Sequence, residues 1–168
     1  ALEVILKETP KNSIIVSTTG KTSREIFEIR EKNKQTHERD FLTVGSMGHC
    51  SSIALGISIN KPNRKIICID GDGALIMHMG NISTVGKMQP SNFYHILLNN
   101  QVHDSVGGQP TAADFINFSD LLRANNYKNI FSIHEENQLL TQFEDFMNLD
   151  GPNFLEIKVE PGSRKNLG

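Results

Sequence analysis

The sequence predicts one α/β domain in which a parallel sheet lies between two layers of helices, a three-layer α/β/α arrangement. Strands that are apolar throughout alternate with helix-length segments along the 168 residues, and parallel sheets covered on both faces are built from such strands. A chain of this length with 38% hydrophobic residues can form one core. Right-handed crossovers then bring the carboxyl ends of the strands to one edge, where such folds bind ligands.

The first elements follow from local patterns of apolar residues. Val4, Ile5 and Leu6 predict a short helix, and the β-branched run at 13–17 predicts a buried strand. Helical spacing from Ser23 to Ile29 predicts a second helix, and the charged segment 30–40 is expected as a solvated loop or helix end. The small residues at 51–59 predict a helix packed closely on the sheet.

The alternation continues to the end of the chain. Residues 65–69 and 93–98 predict two more strands, separated by a helix at 75–88 and followed by a glycine-containing loop at 99–110. The remaining predicted elements are a helix at 118–127, a strand at 129–133, a helix at 137–147 and a strand at 153–159.

Composition excludes several partners. The net charge is -2 and no basic run stands out, so we expect no nucleic-acid partner. No segment has the 18 consecutive apolar residues of a membrane helix, and the first residues lack the pattern of a signal peptide, so a cytoplasmic protein without a membrane partner is expected. Cys50 and Cys68 are not in a CxxC spacing, and we expect both to be reduced and packed as small hydrophobic residues.

Two aspartates lie among glycines directly after the strand at 65–69. Gly71 and Gly73 leave backbone N–H groups open to an anion such as a phosphate. Asp72 would repel that phosphate unless a cation lies between them, and Mg²⁺ bridges carboxylates and phosphates through oxygen ligands. Asn99 and Asn100, at the end of the next strand, can add an amide oxygen, so the two segments predict a clamp for Mg²⁺ and a diphosphate. Asp70 is expected to accept backbone hydrogen bonds in the turn.

The motif GDG followed by a helix, a strand and NN resembles the cofactor motif of thiamine diphosphate-dependent enzymes. Four segments are similar to those of the phosphonopyruvate decarboxylases, a family of 2-keto acid decarboxylases: TTGKTSRE, TVGSMGHCSSIALG, DGDGALIMHMGN and NNQVHDSVGGQPT. The sulfopyruvate decarboxylase β chains resemble them next best. The resemblance spans essentially all of residues 1–168 and implies one domain with the thiamine diphosphate-binding fold.

The resemblance also implies roles for individual residues. Asp72 and Asn100 would bind Mg²⁺ through their side chains and Val102 through its carbonyl, although many relatives have glycine at the position of Val102. Met47 would wedge under the cofactor and bend it, which brings the cofactor's amino group close to its reactive carbon. The other residues implied to bind thiamine diphosphate are Gly20, Lys21, Thr22, Gly45, Ser46, Gly71, Gly73 and Ala74.

The loop after Asn100 is implied to contact the substrate. His103 is the candidate proton donor or phosphonate contact, and Ser105 with the N–H groups of Gly107 and Gly108 would hold the anionic group. The implied reaction converts the 2-keto acid 3-phosphonopyruvate to phosphonoacetaldehyde and CO₂. Spacing does not discriminate this substrate from sulfopyruvate.

Two functions of other classes stay open on the residues alone. DGDGA is close to the DxDGT motif of haloacid-dehalogenase-like phosphatases, in which the first aspartate is the nucleophile, but Ala74 replaces the threonine. A cofactor-binding module without activity is the second alternative. Enzymes of the resembled class also use a pyrimidine-binding domain, for which these 168 residues hold no candidate. We therefore expect a fragment or a subunit that needs a partner and forms a homo- or hetero-oligomer.

Overall fold

Strands and helices alternate along the chain, as the sequence predicts. A computed structural model describes residues 1–167. The strands are β1 (Ile14–Ser17), β2 (Asp40–Leu42), β3 (Ile66–Gly71), β4 (Phe93–Asn99), β5 (Val102–His103), β6 (Gln109–Pro110), β7 (Asn129–Ile133) and β8 (Asn153–Lys158). The α-helices are α1 (Leu2–Glu8), α2 (Lys21–Lys32), α3 (Cys50–Asn60), α4 (Asp72–Met77), α5 (Asn81–Met88), α6 (Phe118–Ala124) and α7 (Leu139–Asn148), and a 3₁₀ turn covers Glu136–Gln138.

Six of the described strands form one parallel sheet in the order β2-β1-β3-β4-β8-β7. One buried apolar cluster joins a face of the sheet to α1, α2 and α7, and it includes Ile5, Ile26 and Phe143. A second cluster joins the other face to α3, α5 and α6 through residues such as Val85 and Leu122. Helices therefore cover both faces, and the three-layer α/β/α prediction is confirmed.

Three elements differ from the sequence prediction. The helix predicted at 75–88 is two helices, because the backbone leaves helical geometry at His78, whose φ and ψ are -130° and 45°. The charged segment 30–40 contains the end of α2 and the start of β2, an edge strand of three residues that is too short to show an alternating pattern. The loop at 99–110 contains a small hairpin in which β5 pairs with β6.

Register aligns the carboxyl ends of the central strands. Ser17 of β1 is paired with Ile69 of β3, and Gly71 of β3 is paired with Leu98 of β4. The segments that follow these three strands therefore meet at one edge of the sheet, which is the ligand-binding edge of folds of this type.

Candidate cofactor site

A cavity of about 540 Å³ lies at this edge of the sheet. Most of the residues that the sequence analysis assigned to the cofactor or substrate line it. They are Lys21, Thr22, Met47, Gly71, Asp72, Gly73, Ala74, Asn100, Val102, His103 and Ser105. The structure thus brings together segments that are up to 84 positions apart in the sequence.

Five of the assigned residues do not line the cavity: Gly20, Gly45, Ser46, Gly107 and Gly108. Gly20 lies behind Ser105, since a Cβ atom added to Gly20 would be 2.9 Å from the Cβ of Ser105. Gly45 and Ser46 are exposed in the loop after β2, and no atom lies within 4 Å of a Cβ built on Gly45. Their predicted contacts with the cofactor stay predictions.

Asp72 is the first residue of α4 and is only 2% exposed. Its Oδ2 accepts a hydrogen bond of 2.5 Å from the hydroxyl of Thr111, a residue just after β6. Sequence reasoning missed Thr111, because nothing in the segment QPT marks a contact with a residue 39 positions away. The hydrogen bond holds the carboxylate in one orientation beside the cavity.

The two asparagines at the end of β4 have different roles. The side-chain amide of Asn99 donates to Oε1 of Glu156 on the neighbouring strand β8, at 2.7 Å. Asn100 instead lines the cavity, where its Oδ1 accepts from the N–H of Val102 at 3.2 Å and its Nδ2 donates to Asp104 at 2.7 Å. Only the second asparagine therefore presents its amide to the predicted Mg²⁺ clamp.

Val102 adopts its position without a left-handed backbone. The positive φ in this turn belongs to Gln101, at 62°, whereas Val102 begins the extended strand β5. A valine at the predicted carbonyl ligand is consequently compatible with the local backbone.

Asp104 organises the rim of the cavity, a role that sequence reasoning also missed. Its carboxylate accepts hydrogen bonds from Asn100 and from the N–H of Gly162, the latter at 2.9 Å. The ammonium of Lys21 lies 3.9 Å from the same carboxylate. One acidic side chain thus joins α2, the β5–β6 hairpin and the C-terminal segment.

The C-terminal segment forms part of the cavity wall. Gly162, Ser163 and Arg164 line the cavity. Arg164 makes ion pairs with Glu28 and, at 2.9 Å, with Glu25 of α2. The hydrogen bonds to these carboxylates raise the pKa of the Arg164 guanidinium, with Glu28 having the larger effect and Glu25 the next. The positively charged Arg164 therefore attaches the C-terminal segment to α2.

The absence of a side chain at Gly73 is required by His103. A Cβ atom on Gly73 would lie 2.5 Å from both Cε1 and Nδ1 of the His103 ring, which is closer than non-bonded atoms approach. The imidazole therefore lies directly against the backbone that is predicted to bind the diphosphate.

The donor set fits Mg²⁺ and a diphosphate. Asp72, Asn100 and Val102 offer a carboxylate, an amide and a carbonyl oxygen, and Mg²⁺ prefers oxygen ligands. The first-turn N–H groups of α4 have no carbonyl partner within the helix. Thr18, which also lines the cavity, has a buried hydroxyl with no hydrogen-bond partner within residues 1–167, and a bound phosphate oxygen is a suitable acceptor for it.

Asp70 faces away from this cavity. It is completely buried, its Oδ1 accepts from the N–H of Gly71 at 3.0 Å, and its Oδ2 lies 3.6 Å from Nε2 of His95. Burial lowers the pKa of His95, but Cys68 and Asp70 outweigh it and raise that pKa to about 10. A phosphatase would need Asp70 as an accessible nucleophile, so this geometry argues against the phosphatase alternative.

No helix within residues 1–167 combines the length and apolar character needed to cross a lipid bilayer.

Comparison with known proteins shows the family to which the chain belongs. Residues 18–157 match the family model described as the thiamine pyrophosphate enzyme, C-terminal TPP binding domain. The chain is 34% identical over all of its 168 residues to a phosphonopyruvate decarboxylase of Streptomyces viridochromogenes and covers 41% of that protein. It is equally similar, at 34% identity, to the phosphonopyruvate decarboxylase of Streptomyces hygroscopicus, of which it covers 40%. The chain thus spans about two fifths of the length of these relatives.

A subunit of a second enzyme is also similar. The chain is 31% identical to sulfopyruvate decarboxylase subunit beta of Methanothermobacter thermautotrophicus, over 91% of this chain and 77% of that protein. Among solved structures, a protein from Mycobacterium smegmatis described as a candidate thiamin diphosphate-dependent enzyme superposes with a TM-score of 0.76. The match covers 95% of this chain and 31% of that one, and at 18% identity it supports the fold alone.

Proposed function

The chain belongs to the thiamine pyrophosphate enzyme family, and from this premise we propose that it is the diphosphate-binding domain of a decarboxylase that converts 3-phosphonopyruvate to phosphonoacetaldehyde and CO₂. The observation that carries the proposal is the 34% identity to phosphonopyruvate decarboxylases along the whole chain. The cavity supports it, because the implied Mg²⁺ ligands Asp72, Asn100 and Val102 all line that cavity.

The protein's part in cofactor binding is to hold a cation and a diphosphate at the end of β3. Asp72, Asn100 and the carbonyl of Val102 are the proposed Mg²⁺ ligands, and the backbone at Gly73 and Ala74 is the proposed diphosphate contact. Lys21 lies on the same wall and can neutralise part of the phosphate charge. When bound, thiamine diphosphate supplies the electron sink for loss of CO₂ from a 2-keto acid.

The hairpin loop after Asn100 supplies the proposed substrate contacts. His103 lies against Gly73, so a proton on its imidazole is close to the proposed diphosphate position. We assign His103 the role of proton donor or phosphonate contact, and Ser105 with the N–H groups of Gly107 and Gly108 the role of anion contacts. A phosphonate dianion is well matched by such donors, because hydrogen bonds to ionised groups are the stronger ones.

The partner that we propose is a pyrimidine-binding domain or subunit within a homo- or hetero-oligomer. Two exposed apolar side chains support it: Val44, which follows β2, is 99% exposed, and Phe115, which follows β6, is 91% exposed. Gly45 and Ser46, in the same loop as Val44, are then available to that partner and to the pyrimidine end of the cofactor. A cytoplasmic location stays our expectation from the sequence.

Sulfopyruvate decarboxylation is the second candidate function. It is favoured by the 31% identity to a sulfopyruvate decarboxylase beta subunit over 91% of this chain. Both substrates are 2-keto acids with a small anionic group, which the same loop donors can bind.

The test is a decarboxylation assay of the complete protein containing this chain, together with its partner subunit if it has one. Phosphonopyruvate and sulfopyruvate are supplied in parallel with thiamine diphosphate and Mg²⁺, and CO₂ and aldehyde are measured. Turnover of phosphonopyruvate with at least about tenfold higher kcat/KM, or about 1.4 kcal/mol, supports the proposal. Preference for sulfopyruvate selects the second candidate, and cofactor binding without turnover of either supports a non-catalytic module.

A further inference from the structure

Four side chains with metal-binding atoms converge beneath the cofactor site, on the sheet face covered by α3. Cys68 and Asp70 are two residues apart on β3, and Cys68 is paired in register with His95 of β4. Their side chains consequently point to the same face. Cys50, the first residue of α3, reaches this group from the helix layer.

The atoms of this cluster are close together and withdrawn from water. The Sγ atoms of Cys50 and Cys68 are 3.4 Å apart, and the thiols are free. Nε2 of His95 lies 3.6 Å from Oδ2 of Asp70. The two sulfurs and a carboxylate oxygen of Asp70 all lie within 4.8 Å of one another, and His95 also interacts with the thiol of Cys68.

Two of these atoms have no hydrogen-bond partner in the described part of the chain and lie 3.6 Å from each other. Oδ2 of Asp70 and Nε2 of His95 make no hydrogen bond within residues 1–167, although both side chains are completely buried. A buried polar atom without a partner destabilises a fold by about 1–3 kcal/mol, and such atoms are rare in native proteins. Oδ2 of Asp70 also belongs to the group of atoms within 4.8 Å of the two sulfurs, so one ion bound among them could satisfy both unpartnered atoms together.

We propose that Cys50, Cys68, Asp70 and His95 bind a zinc ion in a closed structural site. In tetrahedral zinc sites with bonds of about 2.3 Å to sulfur and about 2.0 Å to nitrogen or oxygen, two sulfurs are about 3.8 Å apart and a nitrogen and an oxygen about 3.3 Å apart. The observed separations of 3.4 Å and 3.6 Å reach those values through shifts of a few tenths of an ångström. His95 is outside the group of three residues whose ligand atoms all lie within 4.8 Å of one another, so its ring would have to move towards the sulfurs to complete the tetrahedron.

The donor types select zinc over the Mg²⁺ of the cofactor cavity. Thiolate sulfur and imidazole nitrogen suit zinc, whereas Mg²⁺ takes an octahedron of oxygens. None of the four residues lines the cavity, so the two ions would occupy separate sites. Four protein ligands leave no open position for a substrate, which is typical of structural zinc.

Charge and protons balance in this assignment. The two thiols and the protonated imidazole of His95 each lose one proton as they bind the ion, so three protons leave with one zinc bound. Two thiolates and one carboxylate against Zn²⁺ leave one net negative charge, which the N-terminal end of α3 at Cys50 offsets in part. The bound ion would join α3, β3 and β4 at Asp70, two residues before Asp72 in the chain, and would thereby restrain the segment that carries the proposed Mg²⁺ ligand.

The proposal is tested by metal analysis of the complete protein, produced without added zinc, treated briefly with EDTA and then kept in excess Mg²⁺ to occupy the Asp72 site. We expect about one tightly held zinc per chain, falling below about one tenth in Cys50→Ala and in Cys68→Val. Asp72→Asn is the matched control, since it removes a carboxylate from the other site and should leave the zinc content unchanged.

The unsubstituted protein gives a second measurement that does not depend on whether the variants fold. Protein produced in zinc-depleted, cobalt-supplemented medium should show thiolate-to-cobalt charge-transfer absorption in the near ultraviolet, which oxygen ligands at the Asp72 site do not produce. Absence of both zinc and this absorption would overturn the proposal. Retention of zinc in a variant that carries both Cys50→Ala and Cys68→Val would also overturn the proposal. So would loss of zinc in Asp72→Asn while the cysteine variants keep it.

Discussion

The hydroxyl of Thr111 donates a hydrogen bond of 2.5 Å to Oδ2 of Asp72 across 39 positions of the sequence. Because Asp72 is buried at the first position of α4, this contact fixes the orientation of the carboxylate that is proposed to bind Mg²⁺. Thr111 is thus a positioning residue, which acts through Asp72.

Thr111→Val should weaken Mg²⁺-dependent cofactor binding by about 10–100-fold, the range seen when a partner of a metal ligand is lost. Valine keeps the shape of threonine but removes the hydroxyl. The measurement is a Mg²⁺ titration of thiamine diphosphate binding in the complete protein. Thr111→Ser, which keeps the hydroxyl, should bind nearly normally, and equal losses in both variants would contradict the positioning role.

Asp72→Asn should reduce Mg²⁺-dependent cofactor affinity by about 100-fold or more, because it removes a buried negative charge opposite a cation. Calorimetric titration with thiamine diphosphate at saturating Mg²⁺ measures the effect. Asp145→Asn is the matched control, since Asp145 is an exposed helical aspartate on α7. If Asp72→Asn binds the cofactor with wild-type affinity, the carboxylate of Asp72 is not part of the proposed Mg²⁺ clamp.

His103→Gln should lower kcat by about 100-fold or more if the imidazole transfers a proton in the reaction. Cofactor affinity should change little, because glutamine retains a polar side chain beside Gly73. Steady-state kinetics and cofactor titration separate the two effects. The control is His134→Gln, an exposed histidine just after β7; a loss confined to cofactor affinity would speak against proton transfer.

Gly86→Ala should destabilise the fold by about 1–3 kcal/mol, the usual effect of overpacking. A Cβ atom there would lie 1.6 Å from the carbonyl oxygen of Asn125, so α5 and the end of α6 would have to separate. Gly56→Ala is the matched control, because Gly56 lies within α3 and its added Cβ would meet no atom within 4 Å beyond its chain neighbours and the backbone of its own helix. It should gain about 0.5–1 kcal/mol from helix propensity, and denaturant unfolding measures both. If the two variants have the same free energy of unfolding, the close packing at Gly86 does not contribute to stability as predicted.

The alternation of strands and helices could be predicted because apolar periodicity is a local property of the chain. The break between α4 and α5 could not, since residues 75–88 read as one periodic segment while His78 is positioned by its packing against Gly48. The short strand β2 was missed for a related reason: its three residues pair with β1 but are too few to show a pattern.

The sequence by itself determined the α/β class, the approach of the GDG and NN segments to one sheet edge, and the choice of oxygen ligands for a cation. These features follow from the order of strands and helices along the chain and from the chemistry of individual residues, both of which can be seen in short segments of sequence. Only the tertiary structure decided that Asn99 donates instead to Glu156, that Thr111 holds Asp72, and that Cys50, Cys68, Asp70 and His95 meet on the sheet face covered by α3. Such contacts depend on strand register and on packing between distant elements, so no local pattern of residues encodes them.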